Sequence, residues 1–107
     1  MKYPKFIVVK DIHGNYELRL GLVEFHSYLL EKSDKKNNIV CIGGGLFEVV
    51  NSKKEIWLYG SSTDYGKVPH NILNKIQLND DHIFCLELIE DYENIDFKGY
   101  KFVIKEF

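Results

Sequence analysis

The feature that most constrains this chain is the shortness of its apolar runs. Phe6-Ile7-Val8-Val9 is one unbroken stretch between Lys5 and Lys10. Its length and β-branched content predict a strand buried on both faces. His13-Gly14-Asn15 follows as a turn, because Gly and Asn tolerate positive φ. Tyr16 to Leu20 is expected to return as a second strand. Ile39-Val40-Cys41-Ile42 and Leu46 to Val50 are further strands, separated by Gly43-Gly44-Gly45. That glycine run reads as a tight bend between strands or as close backbone packing.

The periodicity changes between these strands. Leu22, Phe25, Leu29 and Leu30 fall at helical spacing, with Glu24, Ser27, Glu31 and Lys32 mostly opposite. That pattern predicts a helix at about 22 to 36, ended by Asn37-Asn38. Asn51 to Lys54 reads as a hairpin loop, and Glu55 to Tyr59 as the returning strand. Gly60 to Gly66 is a polar loop. Pro69 suits the first position of a short helix, where its missing N–H is not needed, and Ile72, Leu73 and Ile76 give that helix one apolar stripe. His82 to Glu90 and Tyr100 to Glu106 complete the strands, separated by the acidic loop Asp91 to Asp96. The order predicts an α+β fold: a single mixed β-sheet of about six strands with two helices packed on it. Residues 1–107 are expected to form a single domain.

Composition narrows the function classes. Hydrophobic residues make up 45% and aromatics 14%, which excludes a disordered chain. A formal charge of −2 gives no electrostatic footprint for general nucleic-acid or membrane binding, though a local basic pocket remains open. No signal peptide is visible, and no run approaches the roughly 20 apolar residues that span a bilayer. The expected compartment is the cytoplasm, and the expected state a monomer. Cys41 and Cys85 sit in apolar runs without C-x-x-C spacing and read as reduced, buried thiols. The cysteines and histidines lack metal-ligand spacing, so neither a metal nor a cofactor is expected.

Four histidines could carry chemistry. His13 in its turn reads as solvated, and His82 as structural or exposed. His26 lies near an apolar stripe. It fits either a hydrogen-bonded core residue or an imidazole in a partly dry pocket, tuned to move protons or act as a nucleophile. His70 opens the second helix, where free backbone N–H groups and the dipole attract anions. The loop before it offers Ser61, Ser62 and Thr63 hydroxyls between glycines that let the backbone present its amides to an oxyanion. Neither a Walker loop nor a G-x-S-x-G elbow occurs.

These landmarks, in order, resemble the small protein phosphohistidine phosphatases, also called the Janus/ocnus family. The resemblance runs from about Lys5 to Leu88. Lys5-Phe6-Ile7-Val8-Val9 is similar to the family's first strand, and Glu24-Phe25-His26 to its Glu-Tyr-His. Cys41-Ile42-Gly43-Gly44-Gly45 resembles its Cys-Leu-Gly-Gly-Gly. Tyr59-Gly60-Ser61-Ser62 with Tyr65-Gly66-Lys67-Val68-Pro69-His70 resembles its Tyr-Gly-x-Ser-x-x-Tyr-Gly-x-x-x-His block.

The resemblance implies metal-independent removal of phosphate from phosphohistidine in a protein or peptide. His26 would be the catalytic histidine, as general base or transient phosphoryl acceptor. Lys5 would pair with phosphate oxygens. Ser62, by its hydroxyl and amide, and the amide of Asp64 would cradle the phosphoryl group, and His70 would line the pocket. The family's Arg-Gly pair is split here as Arg19-Leu20-Gly21, which sets Arg19 one place out of register for phosphate binding. Asp64 stands where a small residue is usual, and its carboxylate repels phosphate unless it turns away. Those two departures support the alternative of a non-catalytic phosphate- or partner-binding regulatory module. A third reading has His26 and His70 as an acid–base pair acting on another small substrate.

Overall fold

A computed structural model of the chain describes residues 2–79, 84–89 and 99–106, the segment 84–89 by its backbone alone. The strands are β1 (Tyr3–Lys10), β2 (Tyr16–Val23), β3 (Val40–Val50), β4 (Glu55–Tyr59), β5 (Phe84–Ile89) and β6 (Lys101–Ile104). Two α-helices, α1 (Lys32–Lys36) and α2 (His70–Gln77), and a 3₁₀ turn over His26–Leu29 join them. The strands form one sheet in the order β5-β2-β1-β3-β4-β6. The pairs β1–β2, β1–β3 and β3–β4 are antiparallel, whereas β2–β5 and β4–β6 are parallel. The architecture is therefore α+β with a mixed sheet, as the sequence pattern predicts.

β1 lies inside the sheet and is covered on both faces, as its apolar run requires. Phe6 and Val8 point into the larger core with Leu18, Leu20, Phe47, Ile56, Leu58 and the α2 residues Ile72, Leu73 and Ile76. Ile7 and Val9 point the other way, into a smaller core with Val23 and Leu29. Burying each such side chain contributes roughly 1.5–3 kcal/mol. The two layers thus anchor α2 on one face and the 3₁₀ turn on the other.

The helix expected at about 22 to 36 does not form. β2 instead pairs with β1 along its whole length, to Tyr3↔Val23. That ladder takes Leu22 and Val23 into the sheet, and the chain then turns through the 3₁₀ segment into the five-residue α1. The supposed apolar stripe is split: Leu29 is buried, Leu22 and Leu30 are half-buried, and Phe25 is 49% exposed. Long-range pairing has overridden local periodicity.

The glycine run is not a bend between two strands. β3 passes straight through Gly43, Gly44 and Gly45, paired to Val8, Ile7 and Phe6. The alternative reading, close packing, holds. A Cβ on Gly44 would lie 2.5 Å from the Phe6 carbonyl oxygen, and one on Gly45 2.4 Å from that of Tyr59.

Cys41 is a free thiol that is half-buried rather than buried, and burial pushes it up from its ordinary value. The side chain of Cys85, together with His82 and the segment 91–96, lies outside the described residues. Among the described residues no helix is long and apolar enough to cross a membrane.

Candidate active site

The sequence places His26 three positions after the end of β2, and the 3₁₀ turn folds it back over the sheet. Its ring comes down on β3 where no side chain stands in the way: Cδ2 lies 3.1 Å from the position of a Gly44 Cβ. The imidazole is 8% exposed, and its Nε2 lies 2.8 Å from the carbonyl oxygen of Gly45. A carbonyl only accepts, so Nε2 carries the hydrogen and Nδ1 holds the lone pair in the neutral ring. Every buried side-chain nitrogen and oxygen among the described residues has a hydrogen-bond partner. Nδ1 makes no such bond and therefore reaches solvent-accessible surface.

Burial holds this imidazole below its ordinary value. The Gly45 bond opposes the shift, the Lys5 ammonium reinforces it, and the Asp64 carboxylate opposes it. The ring is consequently neutral at physiological pH, the form in which Nδ1 can take a proton or attack an electrophile.

Lys5 reaches the same surface from β1. Its Nζ donates to the Glu24 carbonyl and lies 5.9 and 6.0 Å from the ring centroids of Tyr3 and Phe25. That places a half-buried ammonium beside the residue preceding His26.

The loop 60–66 is tied to the same stretch of β3. The Gly44 amide donates to the Gly66 carbonyl at 3.1 Å. Within the loop, Ser62 and Gly66 bond reciprocally through their backbones, at 3.2 and 2.8 Å. Gly66 has φ +78°, a conformation favoured by glycine. One glycine segment therefore seats both the imidazole and the loop.

The other expected site residues fall differently. Ser62 is buried; its amide is committed to Gly66 and its Oγ accepts the Tyr65 N–H at 3.2 Å. It closes the bend rather than facing an anion. Thr63 and Asp64 are exposed at the tip, and among the described residues their amides donate to no protein acceptor.

His70 is the exposed first residue of α2 and lines a cavity of about 390 Å³ with Phe6, Leu58, Ser61, Val68 and Leu73. Phe6, Leu58, Val68 and Leu73 belong to the larger core, so this cavity opens on the opposite face of the sheet from His26. His26 does not line it. The surface at His26, here called the shelf, is separate from this cavity, and the structure does not bring the two histidines together.

Arg19 requires a correction. It is 3% exposed and its guanidinium is committed inside the protein. Nη1 and Nη2 donate to the two Asp34 carboxylate oxygens at 2.7 and 3.0 Å, Nη1 also to the Leu29 carbonyl, and Nε to Glu17. Burial opposes its charge, but the bonds to Asp34 and Glu17 win and push its pKa upward. Two carboxylates already hold this cation, so it is not a phosphate ligand. Sequence reasoning missed Asp34 as its partner, 15 positions away. It also missed Gly45, whose carbonyl sets the tautomer of His26; the triple glycine was the available signal.

Among the described residues, no three His, Cys, Asp or Glu side chains converge as a metal site would require. The site belongs to a class: a small α+β domain presenting one neutral imidazole on a glycine stretch of its sheet, flanked by a lysine and a loop with open amides. The chain belongs to the Janus/Ocnus family, whose sequence model matches residues 13–82, well over half of it. The match includes His26 and the loop 60–66 and begins after Lys5. No curated protein matches the chain.

Proposed function

We propose that this protein hydrolyses phosphohistidine in a protein or peptide, without a metal, on the shelf formed by Lys5, His26 and the tip of the loop 60–66. The observation that carries this reading is the imidazole of His26: fixed through Nε2 to Gly45, neutral, and open at Nδ1. Phosphoryl transfer depends mainly on positioning and charge stabilisation. In this reading the Lys5 ammonium and the open Thr63 and Asp64 amides take the phosphoryl oxygens. Nδ1 then takes a proton from water as the water oxygen bonds to phosphorus. The N–P bond breaks with its electron pair passing to the substrate imidazole. In the covalent variant Nδ1 itself bonds to phosphorus, and water later releases phosphate.

The test is release of phosphate from a phosphohistidine peptide. His26→Ala should lower the rate at least about 10²-fold, the scale of a lost acid–base group, with the fold intact by circular dichroism. An unchanged rate in the folded variant would overturn the assignment. Rapid-quench trapping of phosphoenzyme separates the two routes.

One observation favours a second reading. Asp64 is close enough to His26 to raise its pKa, so a negative charge already sits beside the shelf. A non-catalytic module that recognises a phosphorylated or other partner would tolerate that charge. Stoichiometric binding of the peptide without turnover would select this reading.

A further inference from the structure

Three of the six large exposed hydrophobics among the described residues lie at or next to Lys5. Tyr3 and Phe25 are each 49% exposed, and Tyr28 is 60% exposed. The Phe25 and Tyr28 rings meet edge to face, with centroids 5.6 Å apart. This contact fixes the Phe25 ring while leaving half of its surface in water. Such clustering is unusual for apolar surface without a ligand or partner. A cation already rests 6.0 Å from the Phe25 centroid.

We propose that Phe25 is the platform on which the imidazole ring of the phosphohistidine substrate rests, and so determines specificity for that leaving group. The proposal rests on the phosphatase reading above. Phe25 directly precedes His26, and its ring lies 6.0 Å from the Lys5 ammonium, which puts it within reach of an imidazole attached to a phosphoryl group held at Lys5. The ring face of Phe25 favours a cationic partner. Phosphohistidine protonated on its distal nitrogen is such a cation, and it is also the form whose N–P bond breaks with release of neutral imidazole. Contact with Phe25 therefore holds the reactive protonation state before bond cleavage. The interaction is strongest in the ground state and weakens as the electron pair returns to the departing ring, so its loss raises KM and does not lower kcat.

The experiment compares free phosphohistidine with phosphoramidate, whose leaving nitrogen carries no ring and cannot extend to the platform. Phe25→Ala should raise KM for phosphohistidine about fivefold, the scale of an exposed cation–π contact, with kcat unchanged or raised but not lowered. KM for phosphoramidate should stay within twofold of wild type. Phe25→Tyr should restore the phosphohistidine value, and Phe25→Leu should not. Equal changes on both substrates, a change in kcat alone, or rescue by leucine would overturn the platform while leaving the phosphatase reading standing. An effect on phosphohistidine peptides but not on the free amino acid would make Phe25 a docking contact for flanking residues and would also overturn it. A wild-type protein that turns over neither compound defeats the phosphatase reading and this inference with it.

Discussion

Replacing Arg19 by methionine separates a structural arginine from a phosphate ligand. In the native protein Asp34 is 4% exposed and accepts both forks of the guanidinium, at 2.7 and 3.0 Å, plus the Glu31 amide at 2.7 Å. Methionine fills much of the same volume but leaves that carboxylate buried with one amide donor. Breaking one side of a buried pair costs about 3–5 kcal/mol, because the remaining charge is uncompensated. For a domain of this size that corresponds to a fall in Tm of roughly 10–20 °C. Arg19→Lys keeps the charge but loses the fork, and should fall by less.

The sign of the pH dependence is fixed by the Asp34 carboxyl. The Arg19 bonds hold it below its ordinary value against the opposing effect of burial. The pair's contribution is therefore complete above the unfolded carboxylate pKa of about 3.9 and lost as pH falls through the lower folded value. The difference in Tm between wild type and Arg19→Met should be full at neutral pH and shrink below about pH 4. Thermal melts by circular dichroism across pH 3–7, alongside phosphate titrations, provide the assay. A variant with unchanged Tm and weakened phosphate binding would refute the structural role and return Arg19 to the anion site.

Gly44→Ala should cost about 1–3 kcal/mol as overpacking and displace the His26 ring, so that urea melts and phosphohistidine turnover decline together. Asp64→Asn removes a charge that raises the His26 pKa, so the acid limb of kcat/KM, already below the ordinary imidazole value, should move to still lower pH. The same variant should bind phosphate about two- to fivefold more tightly by calorimetry, the scale of an exposed charge interaction. Lys5→Ala should raise the KM for phosphohistidine about fivefold with the fold unchanged, and an unaltered KM would make Lys5 a surface residue only.

Local chemistry made several elements legible. The run Phe6 to Val9 reads as a strand covered on both faces because every residue in it is apolar, and both cores use it. Pro69 before an apolar stripe marks α2, and Gly60 and Gly66 bracket the polar loop. The helix at 22 to 36 misled because periodicity is a local signal, whereas Leu22 and Val23 are held in β2 by Pro4 and Tyr3, 18 and 20 positions earlier in the chain. Arg19 misled for the same reason, since its partner arrives from a different element. His26 was identified by its resemblance to a motif. Its tautomer, its open Nδ1 and its seat on Gly44 and Gly45 depend on a strand that no local pattern joins to it.

The run of glycines in β3 also bears on how the sheet finds its alignment. A strand normally locks against its neighbours because sliding by one position turns its apolar side chains outward. Three successive residues without side chains carry no such pattern, yet they fix the register by space, because a slip of one residue would bring Ile42 or Leu46 to a position where a Cβ meets backbone at under 3 Å. The flanks add to this: Phe47 on one side, and on the other the irregularity between Val8 and Val9 that offsets the pairing of Cys41. A side chain at any of the three glycines would therefore disturb the alignment of the sheet together with the seat of the imidazole.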